Sequence, residues 1–252
     1  MKKQREKYVY ESWDPFVGCI PNGFDKECDH CCGLTSAYKI AGGTGKVSRV
    51  FRRALGKKDG KRGWNGDIIF NPYCIEKLHA RKQRNFIVSY HGEIALVPIS
   101  GLVFVFQAIH DNPRHLFTIL TKKPDLLWEK MQLVIRYMDS INIDLKKLLN
   151  LKIATSVGEN QFNWRIDALR KFAGFEIEVW HKPLIGPVFD ANYEFVNCVR
   201  INKEKGGMNQ KRPCSEEWVE NIIKIAKKQG ILVYNDIKNG KEVICEKIVI
   251  HS

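Results

Sequence analysis

The chain has 252 residues and a hydrophobic fraction of 44%, which is typical of a globular protein large enough to bury a full core. Its 41 lysines and arginines outnumber 28 acidic residues, for a formal net charge of +13. This charge favours a polyanionic partner, with nucleic acid as the first candidate. The longest apolar run, residues 94–108, is interrupted by Pro98 and Gly101, so we expect no membrane association.

The amino terminus is charged and is followed by no apolar segment, which is not the pattern of a secretory signal peptide. We therefore expect a cytoplasmic protein whose eight cysteines are reduced.

Alternating aromatic residues at positions 8–13 predict the first strand.

Half of the cysteines lie in the segment that follows, from Cys19 to Cys32. Cys19, Cys28 and Cys31 have the spacing C-x8-C-x2-C, and Cys32 comes directly after them. Three thiolates in one short loop suit a soft metal ion or an iron–sulfur cluster, and three ligands would leave one iron or zinc position open. The alternative is a closed structural zinc site with His30 or Cys32 as the fourth ligand.

Residues 39–66 carry most of the excess positive charge. They contain nine basic residues and one acidic residue, Asp59, so their net charge is +8. The segment is rich in glycine and predicts a basic loop insertion around a short helix, with backbone phosphates as its natural partner. The rings of Trp13, Trp64 and Trp180 are candidates for stacking on bases.

Strands and helices alternate along the rest of the chain. Predicted strands cover residues 85–90, 116–121, 151–157, 175–180, 195–201, 230–234 and 243–250. Predicted helices cover residues 33–40, 73–84, 98–109, 126–137, 161–172 and 215–229, the last with Ser215 as its N-cap. This alternation predicts an α/β fold of parallel units in a single domain over residues 1–252, as a partial or complete parallel (β/α) barrel.

Polar residues follow nearly every predicted strand, at the end of the strands where barrel sites gather. These residues are Ser89, His91, Glu93, Thr121, Lys122, Ser156, Glu159, His181, Lys182, Arg200 and Asn202. Because they come after apolar strand bodies, they predict one pocket next to the cysteine loop.

Several segments, in this order, resemble a known family. They are residues 12–19 with Cys28 and Cys31, then 115–124, 155–169, 182–187 and 212–219. Together they resemble the phage-associated family of radical S-adenosylmethionine-like proteins of unassigned function, which is distantly similar to spore photoproduct lyase. The matching segments span most of the chain.

The resemblance implies a barrel of the radical S-adenosylmethionine type and an enzyme of that class. A [4Fe–4S] cluster would be held by Cys19, Cys28 and Cys31, and its fourth iron would chelate S-adenosylmethionine. Reductive cleavage of this cofactor would give a 5′-deoxyadenosyl radical that abstracts hydrogen from a nucleic-acid substrate, which is modified or repaired. An electron donor such as a flavodoxin or ferredoxin is implied as a partner.

The resemblance also suggests roles for the residues at the strand ends. Those that would bind the methionine amino group are Ser89, His91 and Glu93. Those that would hold the ribose hydroxyls are Ser156 and Glu159.

Two further lysines and one cysteine are candidates near the reacting groups. Lys122 and Lys182 would meet a carboxylate or a phosphate. Cys32 would be a spare ligand, a hydrogen-atom donor or a residue without a role, and with Lys122 it forms the candidate catalytic pair.

The chain departs from the family at a few positions and leaves other functions open. The departures are Cys32 in place of a tyrosine, Lys182 in place of a glutamate, Ile201-Asn202-Lys203-Glu204 in place of Gly-Gly-Glu-Ser, and Asp236 in place of a lysine. One alternative is a zinc-dependent nucleic-acid-binding protein or nuclease. Another is a non-catalytic barrel that serves as a partner subunit.

Overall fold

The computed structural model of the protein describes residues 10–21, 23–58, 60–204, 212–235 and 243–244. The strands in this part of the chain are β1 (Tyr10–Trp13), β2 (Phe16–Val17), β3 (Leu55–Lys58), β4 (Lys61–Trp64), β5 (Ile69–Phe70), β6 (Asn85–Val88), β7 (Leu116–Thr121), β8 (Leu151–Ser156), β9 (Glu176–His181), β10 (Cys198–Ile201), β11 (Leu232–Asn235) and β12 (Val243–Ile244). The α-helices are α1 (Cys32–Ala41), α2 (Lys46–Ala54), α3 (Ile99–His110), α4 (Pro124–Ser140), α5 (Trp164–Leu169) and α6 (Glu216–Lys228). Short 3₁₀-helices cover Lys26–His30, Pro72–His79, Ile94–Leu96, Leu145–Lys147, Asn160–Phe162 and Arg170–Phe172.

Seven parallel strands stand side by side in the order in which they occur along the chain. The order is β1, β6, β7, β8, β9, β10 and β11, and β12 adds one antiparallel strand. Successive parallel neighbours with connections that return the chain to the same end build a half-barrel. Among the described residues β1 and β12 are the two edges of this sheet, so the predicted α/β fold and partial barrel are confirmed and a complete barrel is not.

The main hydrophobic core lies between this sheet and its helices. Phe86 and Val88 of β6 pack in this core with Leu102 and Phe106 of α3. Ile87, which lies between the two β6 residues, belongs to a separate small cluster. Because side chains alternate along a strand, this second cluster marks the inner face of the half-barrel, opposite the helices.

A second unit packs beside the half-barrel and consists of α1, α2 and the β3–β4 hairpin. Its hydrophobic cluster includes Ala37, Phe51 and Trp64. Helix α2 turns Val50, Phe51 and Ala54 inward and leaves its basic side chains exposed. The prediction of a basic loop around a short helix is therefore wrong in part, since apolar residues within this segment fold it into a helix and a hairpin.

A buried ionic group crosses the inner face of the half-barrel and is called here the floor network. Glu178 of β9 is fully buried and accepts hydrogen bonds from Arg200 Nε at 2.8 Å and Lys152 Nζ at 3.1 Å. Trp180 Nε1 donates to the same carboxylate at 2.7 Å. Burial raises the pKa of Glu178, but the neighbouring charges of Arg200 and Lys152 outweigh burial and hold it below its usual range.

The predicted elements agree with the structure to different degrees. The strand over residues 116–121 and the Ser215 N-cap, which accepts from Glu217 N at 3.2 Å, are confirmed. The predicted helix over residues 73–84 is wrong: a 3₁₀-helix begins at Pro72 and ends at His79, and the four basic or polar residues of 81–84 offer no apolar side to bury.

The predicted helix over residues 161–172 is also broken into shorter pieces. Only Trp164–Leu169 is α-helical, with 3₁₀ turns on both sides. Ile166, Leu169 and Phe172 are buried at intervals of three residues, which is the spacing that a 3₁₀ turn places on one side. Asp236 and residues 245–250 of the predicted last strand lie outside the described residues.

None of the helices in the described ranges is long and apolar enough to cross a membrane.

Candidate functional site

The cysteine loop, residues 19–32, covers the carboxyl ends of the parallel strands. Its centre is the 3₁₀-helix Lys26–His30, whose N-cap Asp25 accepts a hydrogen bond from Glu27 N at 2.8 Å. Cys31 then caps α1, because its Sγ accepts from Leu34 N at 3.3 Å. Local capping by Asp25 and Cys31 therefore helps to shape the loop.

Cys19, Cys28 and Cys31 all line one pocket of about 180 Å³, called here the cysteine pocket. The same three residues also border a second opening of about 420 Å³, called the basic cleft. The sequence-predicted triad is thus brought together at the carboxyl ends of the strands, where the polar strand-end residues were expected to meet it.

The thiols of Cys19 and Cys31 are poor acids in the absence of a bound cation. Burial, together with smaller contributions from charge on neighbouring groups, raises the pKa of Cys19 to about 12 and that of Cys31 to about 11. Thiolates are the form that ligates metals, so a cationic centre in the pocket would be needed to hold these groups deprotonated.

Within the described residues, no group of three His, Cys, Asp or Glu side chains is close enough together to hold one metal ion. The closed zinc site with His30 or Cys32 as the fourth ligand stays a prediction. A [4Fe–4S] cluster requires a different placement of its ligands from a single ion. Each cysteine ligates a separate iron, so the three thiols lie apart around the cluster. Three thiols that line one pocket fit this second arrangement.

Cys32 and His30 sit at the edge of the same pocket. Cys32 is exposed, and Tyr90 Oη donates a hydrogen bond to its Sγ at 3.1 Å. His30 Nδ1 is buried without a hydrogen-bond partner and lies 3.7 Å from a carboxylate oxygen of Glu204. Both residues therefore line the same pocket as the triad.

A buried ionic network anchors the cysteine loop to the half-barrel; it is called here the loop network. Arg165 of α5 is 1% exposed, and its guanidinium donates to Glu27 Oε2 at 2.6 Å and also to Asp25. Lys122 Nζ lies 3.1 Å from Glu27 Oε2 and 3.4 Å from Cys28 Sγ. The two loop carboxylates, Asp25 and Glu27, therefore bind Arg165 and Lys122 of the barrel. Lys122 also contacts the thiol of Cys28.

Glycine at position 158 permits the closest of these contacts. The Gly158 amide donates to Glu27 Oε1. A side chain at residue 158 would place its Cβ 2.5 Å from that carboxylate oxygen and 2.7 Å from the Pro183 carbonyl oxygen. Only glycine lets the strand end approach the loop this closely.

Asp25 and Glu27 are functional candidates that the sequence analysis missed. The signal was present as acidic residues between the cysteines, with Arg165 in a segment that matched the resembled family. Burial raises the pKa of Asp25, but Lys122 and Arg165 outweigh it and lower that pKa below the usual range. The carboxylate is thus held ionised beside the cysteines.

Ser89 lines the cysteine pocket and has no partner for its hydroxyl. It is 3% exposed, its backbone φ is +52°, and its Oγ makes no hydrogen bond in the described structure. A buried unpaired hydroxyl is unfavourable unless something in the pocket bonds to it. This serine is the clearest indication that a polar ligand fits here.

Glu93 also faces the pocket, but its carboxylate is occupied. It accepts hydrogen bonds from Thr121 Oγ1 at 2.5 Å, Lys122 N at 2.9 Å and Ala95 N at 3.1 Å. Burial raises its pKa despite these bonds. Glu93 therefore fixes the ends of two strands and leaves few acceptor positions for a ligand.

Two of the predicted ligand-binding residues lie outside the described lining of this pocket. His91 is buried, with Nδ1 2.9 Å from Asp14 Oδ2 and Nε2 3.0 Å from Ser36 Oγ. Glu159 pairs with Lys26 Nζ at 2.7 Å. Both act between the loop, α1 and the strand ends, so their direct contact with a cofactor stays a prediction without support from the geometry.

Ser156, Lys182 and Trp180 complete the far wall. Ser156 Oγ donates to the Lys182 carbonyl at 3.2 Å, and Lys182 Nζ lies 5.3 Å from the centre of the Trp180 ring. Trp180 separates the pocket from the floor network, since its Nε1 binds Glu178.

The three tryptophans that were candidates for stacking on bases have mostly buried rings, although Trp64 and Trp180 also line the cysteine pocket. Trp13, Trp64 and Trp180 are 0%, 5% and 1% exposed. Each completes a hydrophobic cluster, because a large ring contributes more by burial than at the surface.

Comparison with known proteins adds the family alone. A family model described as "Protein of unknown function (DUF5131)" matches residues 4–238. No curated protein and no solved structure matches the chain.

Proposed function

The chain belongs to the DUF5131 family of unknown function, and we propose that it is a radical S-adenosylmethionine enzyme acting on nucleic acid. The observation that carries the proposal is the cysteine pocket itself. Three cysteines of one loop line it at the carboxyl ends of a parallel half-barrel. In such folds the active site lies at that end of the strands.

The proposal assigns the cofactors to residues that line the cysteine pocket. Cys19, Cys28 and Cys31 would ligate three irons of a [4Fe–4S] cluster and leave the fourth open for S-adenosylmethionine. Ser89 Oγ would bond to a polar group of that cofactor, because it is the unpaired hydroxyl in the pocket wall. When bound, the two groups supply the electron and the sulfonium whose cleavage yields a 5′-deoxyadenosyl radical.

The chain's own contribution is position, charge and exclusion of water. The loop network lowers the pKa of Asp25, which stays ionised beside the cysteines, and holds Lys122 next to Cys28 through Glu27. The apolar wall of Ile87 and Trp180 keeps the pocket dry below. A dry, prearranged site protects a reactive intermediate from side reactions.

Nucleic acid is proposed as the substrate because of the net charge of +13 and the net charge of +8 in residues 39–66 alone. A flavodoxin or ferredoxin is proposed as the electron donor, since a cluster of this kind must be reduced before it acts. The non-catalytic partner-subunit function differs from this proposal only in that the cofactor would not be cleaved.

The test is anaerobic reconstitution followed by iron, sulfide and zinc analysis, and electron paramagnetic resonance with and without S-adenosylmethionine. We expect one [4Fe–4S] cluster per chain whose signal changes when the cofactor is added. Cys28→Ser should lose the cluster, whereas Cys214→Ser, at a half-buried cysteine that does not line the pocket, should keep it.

Other results would point elsewhere. Zinc without sulfide, lost in both Cys28→Ser and His30→Gln, would overturn the proposal in favour of a zinc-binding protein. A cluster whose signal ignores S-adenosylmethionine, or a reduced cluster that binds this cofactor without cleaving it to 5′-deoxyadenosine, would overturn the enzyme and leave the partner subunit.

A further inference from the structure

The exposed side of α2 and of the β3–β4 hairpin carries a dense set of positive charges. On α2, Lys46, Arg49 and Arg53 are spaced three and four residues apart, so they share one face of the helix. All three are exposed. The hairpin that follows adds the exposed side chains of Lys57, Lys61 and Arg62. We call this surface the basic face.

The strand register of the hairpin places like charges opposite each other. Lys57 pairs with Arg62. Directly opposed side chains of the same charge destabilise a two-stranded ladder. A bound anion would remove this repulsion, so the register itself points to an anionic ligand.

The protein does not neutralise these charges internally. Within the described part of the chain, no ion pair includes a basic residue of this face. Arg52, on the same helix, is the informative contrast: its Nη1 is bound to the carbonyl oxygens of Ala41 and Gly43 at 2.7 Å each. One arginine of α2 is thus used to hold the fold, whereas Arg49 and Arg53 are left for solvent or a ligand.

The basic face leads directly to the cysteine loop. Lys61, Arg62 and Trp64 line the basic cleft together with the three cysteines of the triad. Asp29 is the one acidic residue among the described residues of this lining. Trp64 and the triad also line the cysteine pocket, so the cleft and the pocket are two openings beside the same loop.

We propose that the basic face is the docking surface for the phosphate backbone of a single-stranded nucleic acid, which passes through the basic cleft to the cysteine pocket. The destination of the strand rests on the proposed function; the docking surface rests on the charges alone. A row of cations spaced along a helix and a hairpin suits a repeating phosphate chain.

A single strand fits better than a duplex for a geometric reason. The cysteine pocket is enclosed between the loop and the strand ends, and its wall is built from buried residues such as Ser89 and Trp180. A base that reacts there must leave its stack, and a single strand does so at the lowest energetic cost. A duplex resting on the basic face would keep its bases away from the triad.

The experiment measures binding of a fluorescent single-stranded oligonucleotide by anisotropy, with protein that contains no cluster and with reconstituted protein. Salt is varied from about 50 to about 200 mM, and the affinity is expected to fall steeply. Lys57→Gln with Arg62→Gln should lower the affinity by about tenfold or more and reduce the salt slope by about 2. Because Arg62 lies over the Tyr38 ring, Arg49→Gln with Arg53→Gln gives a second test at side chains without such a contact.

The matched control is Lys146→Gln with Lys147→Gln, which removes the same charge at the opposite, amino end of β8. It should leave affinity and salt slope unchanged. The proposal is overturned if the control lowers binding as much as the basic-face variants do, or if a duplex or a heparin fragment binds as tightly as the single strand.

Iron analysis and paramagnetic resonance of the same samples keep the two proposals separate. If the oligonucleotide binds through the basic face but reconstitution yields no cluster, the proposed enzyme is overturned and the docking surface is supported. If a cofactor-responsive cluster forms but the basic face does not bind the oligonucleotide, the docking surface is overturned and the proposed enzyme is supported.

Discussion

Two buried ionic networks hold this protein together, and they differ in how far along the chain their members are separated. In the floor network, Lys152 and Arg200 reach Glu178 over 26 and 22 residues, from strands next to β9. In the loop network, Arg165 reaches Glu27 over 138 residues. The first joins neighbours in a sheet that its backbone already orders, and the second joins the cysteine loop to the barrel.

The contrast separates a structural use of buried charge from a positioning use. The floor network is closed: Trp180 and both cations satisfy one carboxylate. The loop network ends at a reactive group, since Lys122 is shared between Glu27 and Cys28. Loss of the floor should therefore cost stability alone, whereas loss of the loop network should also change the thiols.

The largest effect is expected from Glu178→Ala. The variant leaves Lys152 and Arg200 facing each other on the inner face without their shared acceptor. The free energy of unfolding should fall by about 3–5 kcal/mol, measured by urea denaturation at neutral pH.

Glu176→Ala is the matched control, because Glu176 binds the same Lys152 at 2.6 Å but its side chain is 39% exposed. It should cost less than about 1 kcal/mol. Equal losses in the two variants would mean that burial does not distinguish the floor network.

A smaller loss of stability is expected from Arg165→Leu, together with a change in the cysteines. Lys122 still pairs with Glu27, so the free energy of unfolding should fall by about 2–3 kcal/mol. The loop should open more often, and the rate at which Cys19, Cys28 and Cys31 react with a thiol reagent should rise.

Arg170→Leu, in the next turn of the chain, is the control. Its guanidinium lies over the Phe195 ring and makes a long pair with Asp167 at 3.9 Å. Its thiol reactivity should match the wild type. If Arg165→Leu leaves thiol reactivity at the wild-type rate as well, the loop network has no positioning role.

The smallest effect is expected on the pH dependence of stability, where the two networks are compared with His181. The pKa values of Asp25 and Glu178 are lowered, so both networks lose their stabilisation only when the pH falls below the usual carboxyl range. His181 responds earlier. It is fully buried, with Nδ1 2.6 Å from the Val157 carbonyl oxygen and Nε2 2.8 Å from Tyr193 Oη, and burial lowers its pKa to about 4.

In the unfolded chain the pKa of a histidine is about 6.5. Between this pKa and the folded pKa of about 4, the unfolded chain binds the His181 proton more readily than the folded chain does. Its contribution is present above the unfolded pKa and is lost as the pH falls, by about 2 kcal/mol between about pH 7 and about pH 5. His181→Asn, which can keep the bond to Val157, should flatten this decline. An equally steep decline in the variant would place the acid sensitivity in other groups.

The strands were predictable because their signal is local. Residues 116–121 and 151–156 are apolar runs of strand length bounded by breakers, and the structure has strands there. The helix over residues 73–84 was not predictable in the same way, because its apolar spacing did not show that the turns would be 3₁₀. Short helices depend on what they pack against more than on their own sequence.

The site was predictable as a list of residues and less so as an arrangement. The triad and Ser89, Lys122, Ser156 and Lys182 do line one pocket. His91 and Glu159 follow strands in the same way, yet their side chains are bound to Asp14 and to Lys26 instead. A strand-end position fixes the backbone of a residue, whereas its rotamer and neighbours decide which groups its polar side-chain atoms contact.

The sequence by itself determined the alternating parallel α/β units, the cysteine loop after the first strand and the excess of positive charge, because period, spacing and composition are all local properties of the chain. Tertiary structure decided which charges are buried together. Only folding brings Arg165 to Asp25 and Glu27, or places the basic hairpin against the cysteine loop. Contacts over such separations depend on how several elements pack at once, and no short stretch of sequence carries that information.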